Sequence, residues 1–156
     1  MFKLRSNTFK SELFNEKTFY KRFLKDLADC RKEVVIESPY ITSFRMETFH
    51  QVFQGLLHKN IQIHLITRDP SDHEDEYFRH QSTNEILKCK ELGINIVLLR
   101  GFHHRKLAII DKQILWEGSL NILSYSNSLE IMRRIESYKY AQEMFQFVKP
   151  KIFGIL

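Results

Sequence analysis

Helical and strand-like hydrophobic patterns alternate along the first two thirds of the chain. Apolar residues that recur at helical spacing predict three helices, over 16–31, 47–58 and 82–92. Short apolar runs between them predict three buried strands, over 33–38, 61–67 and 94–99. Asn15 is the expected N-cap of the first helix, Ser82 begins the third, and Gly93 is a suitable stop for it. This strand–helix–strand order indicates parallel strands joined by right-handed crossovers.

The pattern changes after the third strand. Two short apolar runs favour a hairpin, and another strand and a last helix follow, over 107–110, 114–116, 129–135 and 140–148. Pro150 is expected to end that helix. Residues 1–14 indicate a short strand or an arm, and the polar residues 69–81 a loop. We therefore expect an α/β fold in which helices flank a mixed sheet, as a single domain over residues 1–156.

The hairpin is expected to group four polar side chains. Residues 112–113 lie between its two strands, so a two-residue turn is plausible, although this pair is a weak turn dipeptide. In that register Lys106 faces Ser119, and His104 faces Asn121. Since strand side chains alternate, all four would lie on one face of the sheet. A register slip of one residue would scatter them.

The chemistry of these four side chains suits a phosphodiester. Imidazole can act as a nucleophile or exchange a proton near neutral pH. An ammonium, a hydroxyl and an amide can all donate hydrogen bonds to phosphate oxygens. The group contains no carboxylate, which a divalent metal ion would need there. The sequence therefore predicts a phosphodiester site that works without a metal ion.

The spacing His104-x-Lys106-x4-Asp111-x6-Gly118-Ser119-x-Asn121 resembles the HKD motif of the phospholipase D superfamily at each of its six specified positions. In its size and its single motif, the chain is similar to the small bacterial phospholipase D-like endonucleases. The order of predicted elements agrees with this resemblance over most of the chain. The resemblance implies a phospholipase D-like sandwich and a reaction without a cofactor.

The resemblance also implies roles for the motif residues. His104 would be the nucleophile and form a phosphohistidine intermediate. Lys106, Ser119 and Asn121 would hold the non-bridging phosphate oxygens and stabilise the charge of the transition state. Asp111 and Gly118 would be structural.

A glutamate downstream of the motif is implied to orient the nucleophile in related enzymes. Glu130, nine residues after Asn121, is the best candidate, and Glu136 is the alternative. The alternative explanation of Glu130 is an ordinary surface carboxylate at a strand edge. Glu117 is expected opposite Ala108, at the periphery of the site.

A second histidine is needed to protonate the leaving oxygen and later to deprotonate water. The chain carries one His-x-Lys motif, so the resemblance implies a homodimer in which each subunit contributes one histidine. His103 is a rival within the same chain, but neighbouring strand residues point to opposite faces.

Charge and composition narrow the class of partner. The net charge of +5 favours an anionic partner. Cys30 and Cys89 suggest neither a disulfide framework nor a zinc site, and the sequence has no signal-peptide or transmembrane pattern, so we expect a cytoplasmic protein without a membrane partner. His73 lies among the acidic residues Asp72, Glu74 and Glu76, which could suggest a metal site, but a solvated loop explains that composition as well.

These observations favour a nuclease that cleaves DNA or RNA. The sequence leaves three alternatives open: a phospholipase or phosphatidyltransferase, a nucleic-acid-binding module without turnover, and a nuclease subunit partnered with a helicase or restriction system.

Overall fold

The computed structural model describes residues 9–154. Its strands are β1 (Lys10–Asn15), β2 (Glu33–Glu37), β3 (Gln62–Arg68), β4 (Asn95–Leu99), β5 (Leu107–Ile110), β6 (Ile114–Gly118) and β7 (Ile131–Glu136). Its α-helices are α1 (Phe19–Ala28), α2 (Ser43–His58), α3 (Glu76–Glu91) and α4 (Tyr138–Phe153), and a short 3-10 turn covers Pro70–Asp72. The ambiguous segment 1–14 thus contains β1, while residues 1–8 lie outside the described part.

The strands form one mixed sheet in the order β1-β7-β6-β5-β2-β3-β4. β2, β3 and β4 are parallel, and the other neighbouring pairs are antiparallel. α1, α2 and α3 cover one face of the sheet, and α4 covers the other. The predicted α/β fold with a mixed sheet between helices is therefore confirmed.

The central strand β2 shows why the apolar runs were continuous rather than alternating. Val34 and Ile36 pack under the three-helix layer, whereas Val35 packs under α4. Because both faces are covered, positions 34–37 are all buried, and apolar side chains are favoured at successive positions of the strand. No helix among residues 9–154 has the length and apolar character needed to cross a bilayer.

The predicted register of the hairpin was wrong by one residue. Ile110 pairs with Ile114, so the turn has three residues and the strands meet as Leu107 with Glu117 and Ala108 with Trp116. Asp111 and Lys112 both adopt positive φ angles, of 53° and 54°. A local sequence rule missed this turn because contacts from another loop hold Asp111 in place.

Several helix ends also differ from the prediction, among them the start of α2, which lies at Ser43 rather than at residue 47. Asn15 still belongs to β1 and its side chain accepts from the N–H of Thr18, so Thr18 is the N-cap of α1. α3 begins six residues earlier than Ser82, with Asp75 as its N-cap. The first turns of α3 are exposed on all sides and therefore carry no apolar periodicity. α4 continues through Pro150 to Phe153, because Ile152 packs against the sheet.

Candidate active site

One edge of the sheet collects the predicted functional residues. The carboxyl ends of the parallel strands β2, β3 and β4 lie there, next to the start of β5 and the end of β6. An open cleft of about 790 Å³ at this edge is lined by His104, Lys106, Gly118, Ser119, Asn121 and Glu130, among others. The structure thus brings the predicted site residues together, which makes this cleft the candidate active site.

His104 and Lys106 lie in the segment that leads into β5. The Lys106 ammonium donates to the backbone oxygen of His104 at 2.7 Å, and it lies 2.9 Å from Nδ1 and 3.1 Å from Nε2 of the same histidine. An ammonium can donate only to a ring nitrogen that carries no proton. Burial lowers the pKa of Lys106, while the charge of Glu130 opposes that shift. His104 is exposed in the cleft, so its imidazole is accessible to a ligand.

Ser119 and Asn121 reach the cleft by a different route from the one predicted. The chain leaves β6 after Gly118, so strand alternation no longer sets their direction. The Ser119 N–H donates to the Ile131 oxygen at 2.9 Å, which fixes the bend. The four predicted side chains still line one cleft despite the register shift, because the chain bends after Gly118 and brings Ser119 and Asn121 to the same end of the sheet.

A further contact holds the loop that carries Asn121. The Tyr20 hydroxyl of α1 donates to the Ile122 oxygen at 3.0 Å, and burial raises the pKa of Tyr20 to about 12. Tyr20 therefore stays protonated and keeps this hydrogen bond over the whole physiological range. The Asn121 Oδ1 atom, an acceptor, is buried without a hydrogen-bond partner.

Glu130 lies in the cleft, but it does not contact the histidine. Its carboxylate accepts from the Ser119 hydroxyl in a short contact and from the Ser128 hydroxyl at 2.6 Å. Its orienting role therefore stays a prediction. Glu136, the alternative, lies opposite Ile114 at the other end of the sheet. Glu117 pairs with Leu107 rather than Ala108 and lines the cleft.

Asp111 and Gly118 have clear structural positions. The Asp111 carboxylate accepts from the backbone N–H groups of residues 31–33 at 2.8–3.1 Å, which ties the hairpin turn to the loop before β2. A Cβ atom at Gly118 would lie only 2.1 Å from the Ile131 oxygen. Glycine is therefore required where β6 and β7 approach each other at the cleft.

A buried carboxylate next to the site escaped the sequence analysis. Glu37 is fully buried at the end of β2, where Oε1 lies 2.6 Å from His103 Nε2 and accepts from Arg105 Nε at 2.7 Å. These two partners flank His104 in the chain. His103 faces Glu37 and does not line the cleft, so it cannot serve as the second histidine in this arrangement. A glutamate directly after the apolar run Val34–Ile36 was the available signal.

The possible metal site at His73 has no support from the geometry. His73 is buried and stacks on Tyr40 with ring centroids 5.2 Å apart. No group of three or more His, Cys, Asp or Glu side chains among residues 9–154 is arranged to hold a metal ion.

Comparisons with known proteins find one matching family and several similar solved structures. Residues 23–149 match the family described as cardiolipin synthase, PLD-like domain. NucT from Helicobacter pylori superposes with a TM-score of 0.74 at 19% identity, over 92% of this chain and 96% of that one. Nuc from Salmonella typhimurium, a phospholipase D family member, gives 0.74 at 12% identity, over 92% and 94%. Phosphatidylserine synthase from Haemophilus influenzae gives 0.72 at 14% identity, over 94% of this chain and 40% of that one. No curated protein matches the sequence.

Proposed function

The chain belongs to the phospholipase D superfamily, and from that premise we propose that it is a metal-independent phosphodiesterase, most simply an endonuclease that cleaves DNA or RNA. The observation that carries the proposal is the exposed imidazole of His104, held against the Lys106 ammonium in a cleft that Ser119 and Asn121 also line. These residues supply a nucleophile and three donors for phosphate oxygens.

The reaction proceeds in two displacements. An unprotonated nitrogen of His104 attacks phosphorus, the N–P bond forms and the P–O bond to the leaving group breaks. A second histidine gives its proton to the leaving oxygen. The same histidine then takes a proton from water, whose oxygen attacks phosphorus and releases His104. Covalent catalysis divides one difficult displacement into two easier ones.

Donors around the cleft stabilise the charge of each transition state. Lys106 contributes a buried ammonium, and Ser119 and Asn121 contribute a hydroxyl and an amide. Donors that are already oriented need little rearrangement as charge develops. Glu130 shares the hydroxyl of Ser119, and we propose that it releases this hydroxyl to an incoming phosphate.

The second histidine comes from another copy of the chain. Among the residues that line the cleft, His104 is the one histidine, and His103 is committed to Glu37. A homodimer with a two-fold axis at the cleft would bring a second His104 to the first. The dimer is therefore a requirement of the proposed mechanism.

Charge supports nucleic acid as the substrate. The chain carries a net charge of +5, and Arg105 and Arg133 line the cleft beside Lys106. Cationic side chains along an open cleft suit a polyanionic strand.

Phosphatidyl transfer is the second candidate. The matched family is described as cardiolipin synthase, and one similar structure is a phosphatidylserine synthase. Met144 and Phe147 of α4 also give the cleft an apolar side that could accept an acyl chain.

The test is cleavage of labelled single- and double-stranded DNA and RNA in excess EDTA, with phospholipid vesicles as a parallel substrate. Wild type is compared with His104→Ala and with His80→Ala, a control histidine exposed on α3. We expect wild type and His80→Ala to cleave nucleic acid and His104→Ala to lose turnover. Cleavage by His104→Ala would contradict the nucleophile, and turnover of phospholipid alone would favour the second candidate.

A further inference from the structure

A second cavity of about 570 Å³ opens at the same edge of the sheet as the catalytic cleft. Its walls include the aromatic rings of Tyr40, Phe78, Phe102 and Tyr125 and the imidazole of His73. We call this cavity the aromatic pocket. None of its residues has a role in the proposed reaction.

Three rings of the aromatic pocket, Phe78, Phe102 and Tyr125, are exposed to solvent. Phe102 is 100% exposed and Tyr125 is 52% exposed, so these rings contribute little to the hydrophobic core. Tyr40 stacks on His73 with an angle of 29° between the rings. Exposed aromatic faces of this kind are the surfaces on which nucleic-acid bases stack.

The polar groups of the pocket suit an uncharged ligand. Ser124 and Ser126 contribute hydroxyl groups, and burial lowers the pKa of His73, which keeps its imidazole neutral. Glu74 and Asp75 place negative charge at the pocket and disfavour a phosphate there.

Arg68 supplies the remaining donor. One of its terminal nitrogens, Nη2, donates to the Asp72 oxygen at 2.6 Å, while its Nε is buried without a hydrogen-bond partner. A buried unpaired donor costs free energy unless a ligand satisfies it. The ring nitrogens and carbonyl oxygens at the edge of a base are suitable acceptors.

A short stretch of chain joins the aromatic pocket to the proposed nucleophile. A single residue separates Phe102 from His104, so their Cα atoms are at most about 7 Å apart. On the other side, the Tyr125 N–H donates to the Thr42 hydroxyl at 2.9 Å, which fixes the loop that follows Asn121.

We propose that the aromatic pocket binds one unpaired nucleobase next to the phosphodiester that His104 attacks. This inference rests on the proposed nuclease function and specifies its substrate as a strand with an accessible base. Single strands should be cleaved faster than duplexes, because a paired base must first leave its stack.

The test uses Phe102→Ala and Tyr125→Ala, with Phe153→Ala as a control. Phe153 is 54% exposed, comparable to Tyr125, and lies beside His64 of β3, away from the pocket. The substrates are a single-stranded oligonucleotide, the same oligonucleotide with one abasic site placed at each position in turn, and methyl 4-nitrophenyl phosphate, a diester without a base.

We expect each pocket variant to raise KM for the intact oligonucleotide about tenfold, the loss of roughly one stacked base. Their turnover of methyl 4-nitrophenyl phosphate and the behaviour of Phe153→Ala should stay at the wild-type level. An abasic site at the position whose base would enter the pocket should raise the KM of wild type by a similar factor. The same abasic site should not raise the KM of the pocket variants any further. Phe102→Tyr should restore the wild-type KM.

Two results would overturn the inference. Equal KM values for wild type and the pocket variants would show that the pocket does not bind substrate. If the variants raised KM by the same factor on the intact and the abasic oligonucleotides, the pocket would not recognise a base. Failure of the proposed function is a different result: wild type would then cleave methyl 4-nitrophenyl phosphate but no oligonucleotide, or neither of them.

Discussion

Glu37 is the residue that most changes the view of the site obtained from the motif. Its carboxylate is fully buried and contacts the residues on both sides of His104, and its second oxygen, Oε2, has no hydrogen-bond partner. The side chain of His103 is 5% exposed and that of Arg105 is 39% exposed. The Glu37 carboxylate therefore binds His103 inside the protein and Arg105 close to the surface. Glu37 contacts the residues on either side of His104, the proposed nucleophile, so we infer that it is a positioning residue.

Glu37→Gln should lower kcat about ten- to a hundredfold and leave KM near its wild-type value, because small misplacements of a reacting group are costly for rate. Glu33→Gln is a matched control. Glu33 lies at the other end of β2 and pairs with Lys112 at 2.6 Å, so this variant also loses an ion pair. Steady-state kinetics on the best oligonucleotide would check the prediction. Equal effects of both substitutions on kcat would reduce Glu37 to a structural role.

The contact between β6 and β7 shows how an element can limit the choice of residue in the motif. Gly118 faces the backbone of β7, where an added Cβ would meet the Ile131 oxygen, Met132 Sδ and Met132 Cα within 2.1–2.9 Å. Two of these atoms belong to the backbone and cannot move without parting the strands. The next residue, Ser119, takes its position from the same contact.

Gly118→Ala should therefore reduce both stability and turnover. We expect a loss of about 2 kcal/mol or more in the free energy of unfolding, in the range for overpacking. Gly55→Ala provides the opposite control: Gly55 is exposed inside α2 with no atom within 4 Å of an added Cβ. Alanine there should stabilise the helix by up to about 1 kcal/mol. Urea unfolding of both variants would reveal the contrast, and equal stabilities would contradict it.

The order of elements could be predicted because burial of one or both faces of an element produces a regular pattern of apolar residues in the sequence. The strands from β2 to β7 and the four helices all show such a pattern. The start of α3 could not be predicted, because residues such as Glu76 and Arg79 face solvent on every side and show none. The grouping of the motif residues was correct, but its geometry depends on a three-residue turn held by Asp111, whose partners lie about 80 residues away in sequence.

The stability of the whole molecule should depend on pH through two buried histidines. His64 Nδ1 lies 2.9 Å from Asn95 Nδ2, Nε2 has no partner, and burial lowers its pKa from the ordinary 6.5, with Glu33 and Lys112 acting in opposite directions. Burial lowers the pKa of His73 as well. The unfolded chain therefore binds protons at these histidines more readily than the folded protein does.

Well above pH 6.5 both states are neutral at these positions, so these histidines do not reduce stability. As the pH falls below that value, the unfolded chain gains protons first and stability decreases, by up to about 1.4 kcal/mol per pH unit for each histidine. His64→Gln should flatten this decrease between pH 6.5 and 5. Urea unfolding across that range would measure it, and an unchanged slope in the variant would contradict the assignment to His64.

The proposed mechanism requires two copies of the chain in the active assembly, because His104 is the one histidine among the residues that line the cleft. If each site needs His104 from two subunits, mixing wild type with an equal amount of His104→Ala leaves both histidines in about a quarter of random dimers. Activity per wild-type subunit should then fall to about half once the subunits are refolded together. A mixture with His80→Ala should keep full activity per subunit. Activity that follows the wild-type subunits alone would show that one chain holds a complete site, and the second proton donor would then have to be sought outside the histidines of the cleft.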